Sequence, residues 1–229
     1  MLYTNFIMNG LQMPPILCFD AGTLGFLCEH QIDSTHARIH QIHEHFCSGI
    51  PFMQKKCTRV SGRVYKKADG GKMSYERASL NDIVIERSST TMVRFEVEVD
   101  GIHATSLGAD GLLLSSSTGS TAYNISINGP IIQNDIECLI LNSIAPFSIS
   151  TRPVVFGHES VLKIKLAPNN RGAARIVFDG QVNYPIENGD EIVVVLDKQR
   201  LSLIPSPDAG NAGSGALFVK KLRELFGWK

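Results

Sequence analysis

The 229-residue sequence lacks two features that would assign it to a class at once, an excess of charge of one sign and a long apolar run. Its 22 lysine and arginine residues balance 22 aspartate and glutamate residues. Proteins that bind nucleic acid through bulk electrostatics are usually basic, and a bilayer-spanning helix needs about 20 consecutive apolar residues. The first ten residues, MLYTNFIMNG, also lack the basic and apolar regions of a secretory signal. We therefore expect no nucleic-acid partner, no membrane partner and a cytoplasmic location.

Cysteine is scarce and irregularly spaced. The five cysteines are Cys18, Cys28, Cys47, Cys57 and Cys138, an odd number that contains no C-x-x-C pair. This spacing argues against a disulfide framework and against a four-cysteine zinc site. We expect reduced, buried thiols, as in proteins of a reducing compartment.

A helix is predicted from Thr35 to about Phe46, and it carries histidines along one side. His36, His40 and His43 have the spacing of residues that share a helix face. Three histidines could bind a metal ion, but no Asp, Glu or Cys is positioned to complete a tetrahedral site. A polar, partly exposed helix face accounts for the pattern, so we expect no metal at these residues.

Beyond about residue 57 the sequence changes to short strands separated by turn residues. Phe95, Val97 and Val99 alternate with charged residues, and the Asp100-Gly101 pair that follows is typical of a tight hairpin. Other predicted strands are 59–66, Leu112–Ser115, Cys138–Ile144, Leu162–Leu166, Arg175–Phe178, Ile192–Leu196 and Leu201–Ile204. The pattern predicts a mixed α+β chain that is mainly an antiparallel β-sandwich.

The two ends of the chain differ from this β-rich middle. The apolar run Pro15–Phe19, followed by a Gly-containing turn, is typical of the last strand of an α/β layer. Residues 205–215 have the composition of a linker, and residues 216–226 carry the apolar stripe of a helix. The predicted parts are 1–48, a remnant of an α/β domain with a connecting helix; 49–205, the β-sandwich; and 206–229, a linker and a helix that packs back on the α/β layer.

Residues 108–123, GADGLLLSSSTGSTAY, form the segment richest in chemistry. They predict a strand, a hydroxyl-rich loop with a glycine, and the first turn of a helix. Such a loop can present N–H groups and hydroxyls to an anion, and Tyr123 offers an aromatic face to a base. An ordinary strand-to-helix turn capped by Ser117 or Thr118 explains the same pattern. Ligand binding and a purely structural turn both stay open.

Two further polar pairs border predicted strands. Asn81-Asp82 precedes an apolar triplet and can bind ribose hydroxyls or form an Asx turn. Asp179-Gly180, followed by Gln181, is first a hairpin turn and only second a ligand contact. The sequence contains no P-loop, no G-x-G-x-x-G after a strand and no G-x-S-x-G elbow.

Several segments, taken in order, resemble the NAD kinases of the eukaryotic branch. They are FDAGTLGFL (19–27), LNDIVIER (80–87), GADGLLLSSSTGSTAYNISINGP (108–130), IAPFSISTRPVV (144–155), VFDGQ (177–181) and ALFVKKLRELFGWK (216–229). The resemblance implies an α/β domain over a β-sandwich, with the active site between them, and usually a homo-oligomer, a dimer or tetramer. It also implies transfer of the γ-phosphate of ATP to the 2′-hydroxyl of the adenosine ribose of NAD, with a divalent metal such as Mg²⁺ as cofactor.

The same resemblance implies a set of NAD-binding residues. Asn81 and Asp82 would hold the ribose or phosphate of NAD, and Asp110 would lie near the nicotinamide end, from the same or a neighbouring subunit. The remaining implied contacts are Thr121, Ala122, Tyr123 and Ser126 in the pocket, Ala145 and Gln181 on its wall, and Leu24, Gly25 and Phe26 lining the cleft.

The sequence departs from the family at several positions. Family members carry a GGDGT loop whose Asp is the general base, and GGDGT occurs nowhere in this sequence. The resemblance therefore assigns it no catalytic residue, and we expect a chain that lacks the family's N-terminal segment. Asp82 stands where Glu is common, and Phe147 where His is frequent. One alternative is a dinucleotide-binding fragment that transfers no phosphate. Another, a lipid or sphingoid-base kinase, fits TGSTAY and LNDIVIER less well.

Overall fold

The computed structural model describes residues 5, 13–20, 26–49, 54–206 and 214–228. They fall into two compact units. The smaller unit takes its described residues from Gln12–Cys57 and Leu201–Lys229, and the larger one from Leu2–Leu11 and Thr58–Arg200.

The regular elements are short, and most of them are strands. The α-helices whose bounds lie within the described ranges are α1 (Thr35–Cys47), α2 (Tyr123–Ser126) and α3 (Ser214–Phe226). The strands are β1 (Phe19–Asp20), β2 (His30–Gln31), β3 (Lys55–Cys57), β4 (Val60–Lys66), β5 (Lys72–Ser79), β6 (Asp82–Arg87), β7 (Val93–Val99), β8 (Ile102–Ala109), β9 (Gly111–Ser116), β10 (Cys138–Ile144), β11 (Val154–Gly157), β12 (Leu162–Leu166), β13 (Ala174–Phe178), β14 (Val182–Ile186), β15 (Glu191–Leu196) and β16 (Leu201–Leu203).

In its described residues, the smaller unit contains two small strand pairs and two α-helices. β1 pairs with β2 in parallel, and β16 pairs with β3 in antiparallel register. The prediction of a strand over Pro15–Phe19 is largely wrong: β1 spans only Phe19–Asp20, and Ile16 forms only an isolated bridge to Leu203. Helix α1 ends at Cys47, one residue beyond the prediction, and has no buried residue.

The larger unit is built from two six-stranded antiparallel sheets. The first sheet has the order β11-β10-β9-β6-β13-β14, and the second has the order β5-β4-β15-β12-β7-β8. The predicted fold class, mainly antiparallel β-sheet with few helices, is confirmed. Among the described helices, none has the length and apolar character to cross a membrane.

Both sheets contribute alternate side chains to one apolar core. On β6, Ile83 and Ile85 are completely buried. Gly62 on β4 allows the close packing, because a Cβ there would lie 2.8 Å from Ile83 Cδ1 and 3.0 Å from Phe178 Cε1. Other core residues are Val60, Val64, Val93, Phe95, Val97, Leu112, Leu114, Leu139, Leu162, Ile164, Ile176, Ile192 and Val194.

The predicted hairpin pairs form turns with two left-handed residues. Asp100 and Gly101 have φ of 52° and 84°, and Asp179 and Gly180 have φ of 49° and 68°. Two successive residues with positive φ are typical of the type I′ turn, whose twist matches that of the flanking strands. The first pair joins β7 to β8, and the second joins β13 to β14.

Replacing Phe178 with alanine should lower the free energy of unfolding by about 3–5 kcal/mol, because it empties a ring-sized volume in the core. The matched control is Ile102→Ala on β8, where the side chain is 72% exposed and the expected loss is below about 0.5 kcal/mol. Urea unfolding measures both. Equal losses for the two variants would contradict this description of the core.

Candidate functional site

A groove of about 450 Å³ lies on the larger unit, on the face of the first sheet that is turned away from the core. Ile83 and Ile85 of β6 point into the core, and successive side chains of a strand point to opposite faces. The intervening residues of β6 therefore project outward. The lining residues are Asn81, Asp82, Val84, Glu86, Ala122, Tyr123, Arg175, Val177, Asp179, Gly180, Gln181, Val182 and Asn183.

The floor of the groove is set by the register between β6 and β13. Val84 lies opposite Val177 and gives an apolar centre. Glu86 lies opposite Arg175, and the Arg175 Nε and Nη2 donate to Glu86 Oε1 at 2.9 and 2.7 Å. The groove is therefore apolar in the middle, with an ion pair at one end and Asp82 at the other.

One wall is formed by the segment that follows β9. The chain makes a 3-10 helix over Thr118–Thr121 and then the single turn of α2, which begins at Tyr123. Asn124 anchors this turn, because its Nδ2 donates to the Pro130 carbonyl at 3.0 Å and its Oδ1 accepts from Asn142 Nδ2 at 3.1 Å. Tyr123 is 41% exposed at the groove, so its ring is available to a ligand.

The serine hydroxyls of this segment hold the protein itself together. Ser116 Oγ donates to the Leu80 carbonyl at 2.8 Å, and Ser120 Oγ donates to the Ile132 carbonyl at 3.1 Å. Ser117 Oγ lies 3.0 Å from Thr58 Oγ1. The hydroxyls of the predicted anion-binding loop are thus used largely for internal hydrogen bonds, and the residues of the segment that line the groove are Ala122 and Tyr123.

Two carboxyl groups meet at the polar end of the groove. Asp82 is only 6% exposed, and its burial together with the charge of Asp179 raises its pKa from 3.8 to about 7. Burial also raises the pKa of Asp179, although hydrogen bonds from the N–H groups of residues 80–82 and from Asn5 oppose the shift. Near neutral pH the Asp82 carboxyl can therefore accept or donate a hydrogen bond.

Of the residues implied by resemblance, five line this groove: Asn81, Asp82, Ala122, Tyr123 and Gln181. Thr121 and Ser126 lie in the neighbouring turn, where Thr121 is half-buried and Ser126 is exposed, and neither is a lining residue. Their assignment as NAD contacts stays a prediction.

Asp110 and Ala145 lie together at the other end of the same sheet. Asp110 forms a two-point ion pair with Arg87, with Nε–Oδ1 and Nη2–Oδ2 distances of 2.8 and 3.1 Å. Its N–H donates to the Ile144 carbonyl at 3.0 Å, beside Ala145, which has a φ of 45°. Ser115, which lies opposite Asp82, comes five positions after Asp110 along nearly extended chain, so the two ends are about 17 Å apart.

The predicted cleft residues Leu24 and Gly25 lie outside the described residues. Phe26 belongs to the smaller unit, where its ring meets the edge of Phe218 at a centroid distance of 5.6 Å. Lys221 Nζ donates to the Phe26 carbonyl at 2.7 Å. The cleft-lining role of Phe26 stays a prediction.

Eight lining residues were not among the predicted site residues: Val84, Glu86, Arg175, Val177, Asp179, Gly180, Val182 and Asn183. The alternation of Asp82, Val84 and Glu86 along one strand could have identified Glu86. Arg175 and Val177 depend on the pairing of β6 with β13, which a local pattern does not reveal.

Within the described ranges, no group of three or more His, Cys, Asp and Glu side chains is arranged to hold a metal ion. On α1, His40 Nδ1 lies 3.5 Å from Glu44 Oε1, and His43 contacts Cys47.

These features define a class, an antiparallel β-sandwich with a ligand-sized groove on the outer face of one sheet. Residues 80–206 match the family model described as ATP-NAD kinase C-terminal domain. The chain is 31% identical over 198 residues to the NAD kinase of Geotalea daltonii and 30% identical over 218 residues to that of Cellvibrio japonicus, covering 86% and 93% of this chain. It is also 35% identical over 181 residues, 79% of this chain, to the bifunctional NADP phosphatase/NAD kinase of Methanococcus maripaludis. The chain belongs to the NAD kinase family.

Solved structures of this family have the same fold. The crystal structure of yeast NADH kinase complexed with NADH superposes with a TM-score of 0.84 at 26% identity and covers all of this chain and 63% of that one. The NAD kinase from Archaeoglobus fulgidus in complex with ATP gives a TM-score of 0.69 at 23% identity, covering 90% and 74% of the two chains, and supports the fold alone. The chain spans 66–67% of the length of the two bacterial NAD kinases and 30% of the bifunctional protein.

The Asp82 carboxyl should make stability depend on pH. Because its folded pKa of about 7 lies above the ordinary 3.8, the folded state keeps a proton that the unfolded state releases between about pH 4 and 7. The free energy of unfolding should therefore fall as pH rises through this window, by at most about 1.4 kcal/mol per pH unit. The amide of Asp82→Asn does not titrate, so this variant should not show the fall. Variant and wild type should therefore differ more in their free energy of unfolding at pH 8 than at pH 4. Parallel pH profiles in urea unfolding would exclude the assignment.

Proposed function

We propose that this chain carries the dinucleotide-binding part of an NAD kinase, which transfers the γ-phosphate of ATP to the 2′-hydroxyl of the adenosine ribose of NAD. The observation that supports the proposal most strongly is the groove on the first sheet, where five residues implied by the family resemblance converge. Membership of the NAD kinase family agrees with it. Of the solved relatives, the yeast NADH kinase was crystallised with NADH.

The chemistry of the groove fits a nucleoside. The exposed ring of Tyr123 and the apolar floor at Val84 and Val177 suit the flat face of a base. Asn81 and Asp82 suit ribose hydroxyls, which can donate to and accept from an amide and a carboxyl. Shape and polarity thus agree with the nucleoside part of a dinucleotide.

The charges of the groove argue against a polyphosphate at its centre. Asp82, Asp179 and Glu86 are acidic, and Arg175 is already paired with Glu86. A triphosphate in this position would meet carboxylates without a free cation among the lining residues. We therefore assign the groove to NAD and expect ATP to bind elsewhere.

Asp110 and Ala145 are proposed to serve the nicotinamide end. The separation of about 17 Å from the polar end of the groove, measured along β9, is suitable for the two ends of one extended dinucleotide. Phe147 and Ile149, which follow Ala145, are 83% and 93% exposed. Exposed apolar side chains of this kind favour contact with another protein surface, which fits the proposed homo-oligomer.

Catalysis needs groups that this groove does not supply. Transfer of a phosphoryl group depends on holding donor and acceptor in line and on neutralising charge on the phosphate oxygens. A divalent metal such as Mg²⁺, bound with ATP, would provide that neutralisation. Asn81, Asp82 and Tyr123 would hold and orient the acceptor ribose. No residue of this chain is assigned as the general base.

The absence of GGDGT from the sequence favours a second candidate, a chain that binds the dinucleotide and transfers no phosphate.

Tyr123→Ala should weaken NADH binding by about 1–3 kcal/mol, because an aromatic surface that packs on a base is lost. Tyr123→Phe keeps the ring and should bind nearly as tightly as the wild type, which makes it the matched control. Isothermal titration calorimetry distinguishes the two variants. Unchanged affinity in a folded Tyr123→Ala variant would remove the ring from the binding site.

A direct assay separates the two candidate functions. The purified chain is incubated with ATP, NAD and Mg²⁺, and NADP is quantified over time, while calorimetry measures NAD binding on the same sample. Saturable NADP formation that falls at least about tenfold in Asp82→Asn, because the acceptor ribose is then poorly oriented, is the result expected of a kinase. Binding of NAD without NADP formation would support the binding fragment, and absence of binding would contradict both.

A further inference from the structure

The Asp179 carboxylate binds the main chain where β6 begins. Oδ2 accepts from the Leu80 N–H at 2.7 Å, and Oδ1 accepts from the N–H groups of Asn81 and Asp82 at 2.8 and 3.3 Å. The N–H of Asp179 in turn donates to the Asp82 carbonyl at 3.0 Å. One side chain thus fixes the three residues that lead into the polar end of the groove.

The carbonyl side of the same segment is held by the end of β9. The Asn81 carbonyl accepts from the Ser116 N–H at 3.1 Å and from Ser115 Oγ at 3.0 Å. Gly119 packs so closely here that a Cβ would overlap the Asn81 carbonyl. The position of Asn81 is therefore coupled both to Asp179 and to the segment that carries Tyr123.

A buried polar chain supports Asp179 from behind. Asn5, 1% exposed, donates from Nδ2 to Asp179 Oδ2 at 3.2 Å and to the Ala78 carbonyl at 3.0 Å. Its Oδ1 accepts from Arg59 Nη1 at 2.9 Å. Arg59 is also 1% exposed and pairs with Asp197. Buried polar groups linked in this way hold a single arrangement, since each lost partner leaves another group unsatisfied.

The hairpin turn alone does not require this arrangement. Asp100 occupies the same position in the other Asp-Gly turn, with nearly the same φ, yet only one hydrogen bond, from the Val161 N–H to Oδ1, reaches its side chain among those formed by the described residues. Asp179 accepts four, three of them from the segment that bears Asn81 and Asp82.

We infer that Asp179 is a positioning residue, which holds Asn81 and Asp82 in the geometry that the dinucleotide needs, with Asn5 and Arg59 as its buried support. That the ligand is a dinucleotide rests on the proposed function. That Asp179 fixes the main chain of residues 80–82 rests on the hydrogen bonds described above. Asp179 acts through the main chain of residues 80–82, and no contact between its side chain and the ligand is required.

Asp179→Asn tests the inference, because it replaces one accepting oxygen by an NH₂ group that cannot accept. Amide hydrogen exchange of residues 80–82, measured by NMR without ligand and compared with the amides of β12, should be at least about tenfold faster than in the wild type. The Kd for NADH should rise by about tenfold or more. Wild-type exchange and wild-type affinity in this variant would overturn the inference.

Asp190→Asn is the matched control for a purely structural carboxylate. Asp190 is also buried and accepts from the N–H groups of Lys67 and Glu187 at 3.0 and 2.9 Å, but it is not a lining residue of the groove. This variant should lose stability while exchange at residues 80–82 and NADH affinity stay within about twofold of the wild type. If it weakens NADH binding as much as Asp179→Asn does, the effect is general destabilisation and the inference is wrong.

Asn5→Ala provides a milder second variant if Asp179→Asn does not fold. The Asn5 side chain and the Leu80 N–H donate to the same oxygen, Asp179 Oδ2. Loss of the Asn5 bond should therefore speed exchange of the Leu80 amide by about threefold, and unchanged exchange would count against the inference.

If the wild type binds no NADH, the proposed function fails, whereas the amide exchange rates still decide whether Asp179 positions the backbone.

Discussion

The candidate site depends most on the hydrogen bonds between the Asp179 carboxylate and the main chain of residues 80–82. This carboxylate lies in a turn between β13 and β14 but binds the N–H groups of the segment that starts β6. Through Asn81, that segment is tied to the end of β9 and so to the turn that carries Tyr123. Residues distant in the sequence therefore meet at one groove because main-chain hydrogen bonds, rather than ligand contacts, bring their strands together.

The two faces of β6 serve different purposes. Ile83 and Ile85 pack in the core between the sheets and hold the strand in place. Asp82 and Glu86 project to the groove, where burial beside Asp179 raises the pKa of Asp82 to about 7. Burying two neighbouring carboxyl groups costs stability. Carboxyl groups with pKa values raised in this way cluster at functional sites.

Much of the sandwich could be predicted because its strands carry a local signal. Cys138–Ile144 and Leu162–Leu166 agree with the predicted bounds, and both Asp-Gly pairs form the expected turns. Lys72–Ser79 was missed because most of its side chains are polar and half of its residues are exposed, so its sequence lacks a clear apolar alternation. Arg175 was missed for a different reason, since it reaches the groove through pairing with a strand far away in the sequence. Asp179 was predicted as a turn residue and only second as a ligand contact, and its bonds to the N–H groups of residues 80–82 have no local sequence signal.

The central claim is that the outer face of the first sheet binds the nucleoside part of NAD(H). The most direct measurement is an NMR titration of the isotope-labelled chain with NADH. We expect saturable shifts of the amides of residues 81–86, Ala122, Tyr123 and 177–182, with little change in β4, β5 and β15 of the second sheet. Saturable shifts confined to the second sheet, or binding that leaves residues 81–86 and Tyr123 unmoved, would contradict this claim.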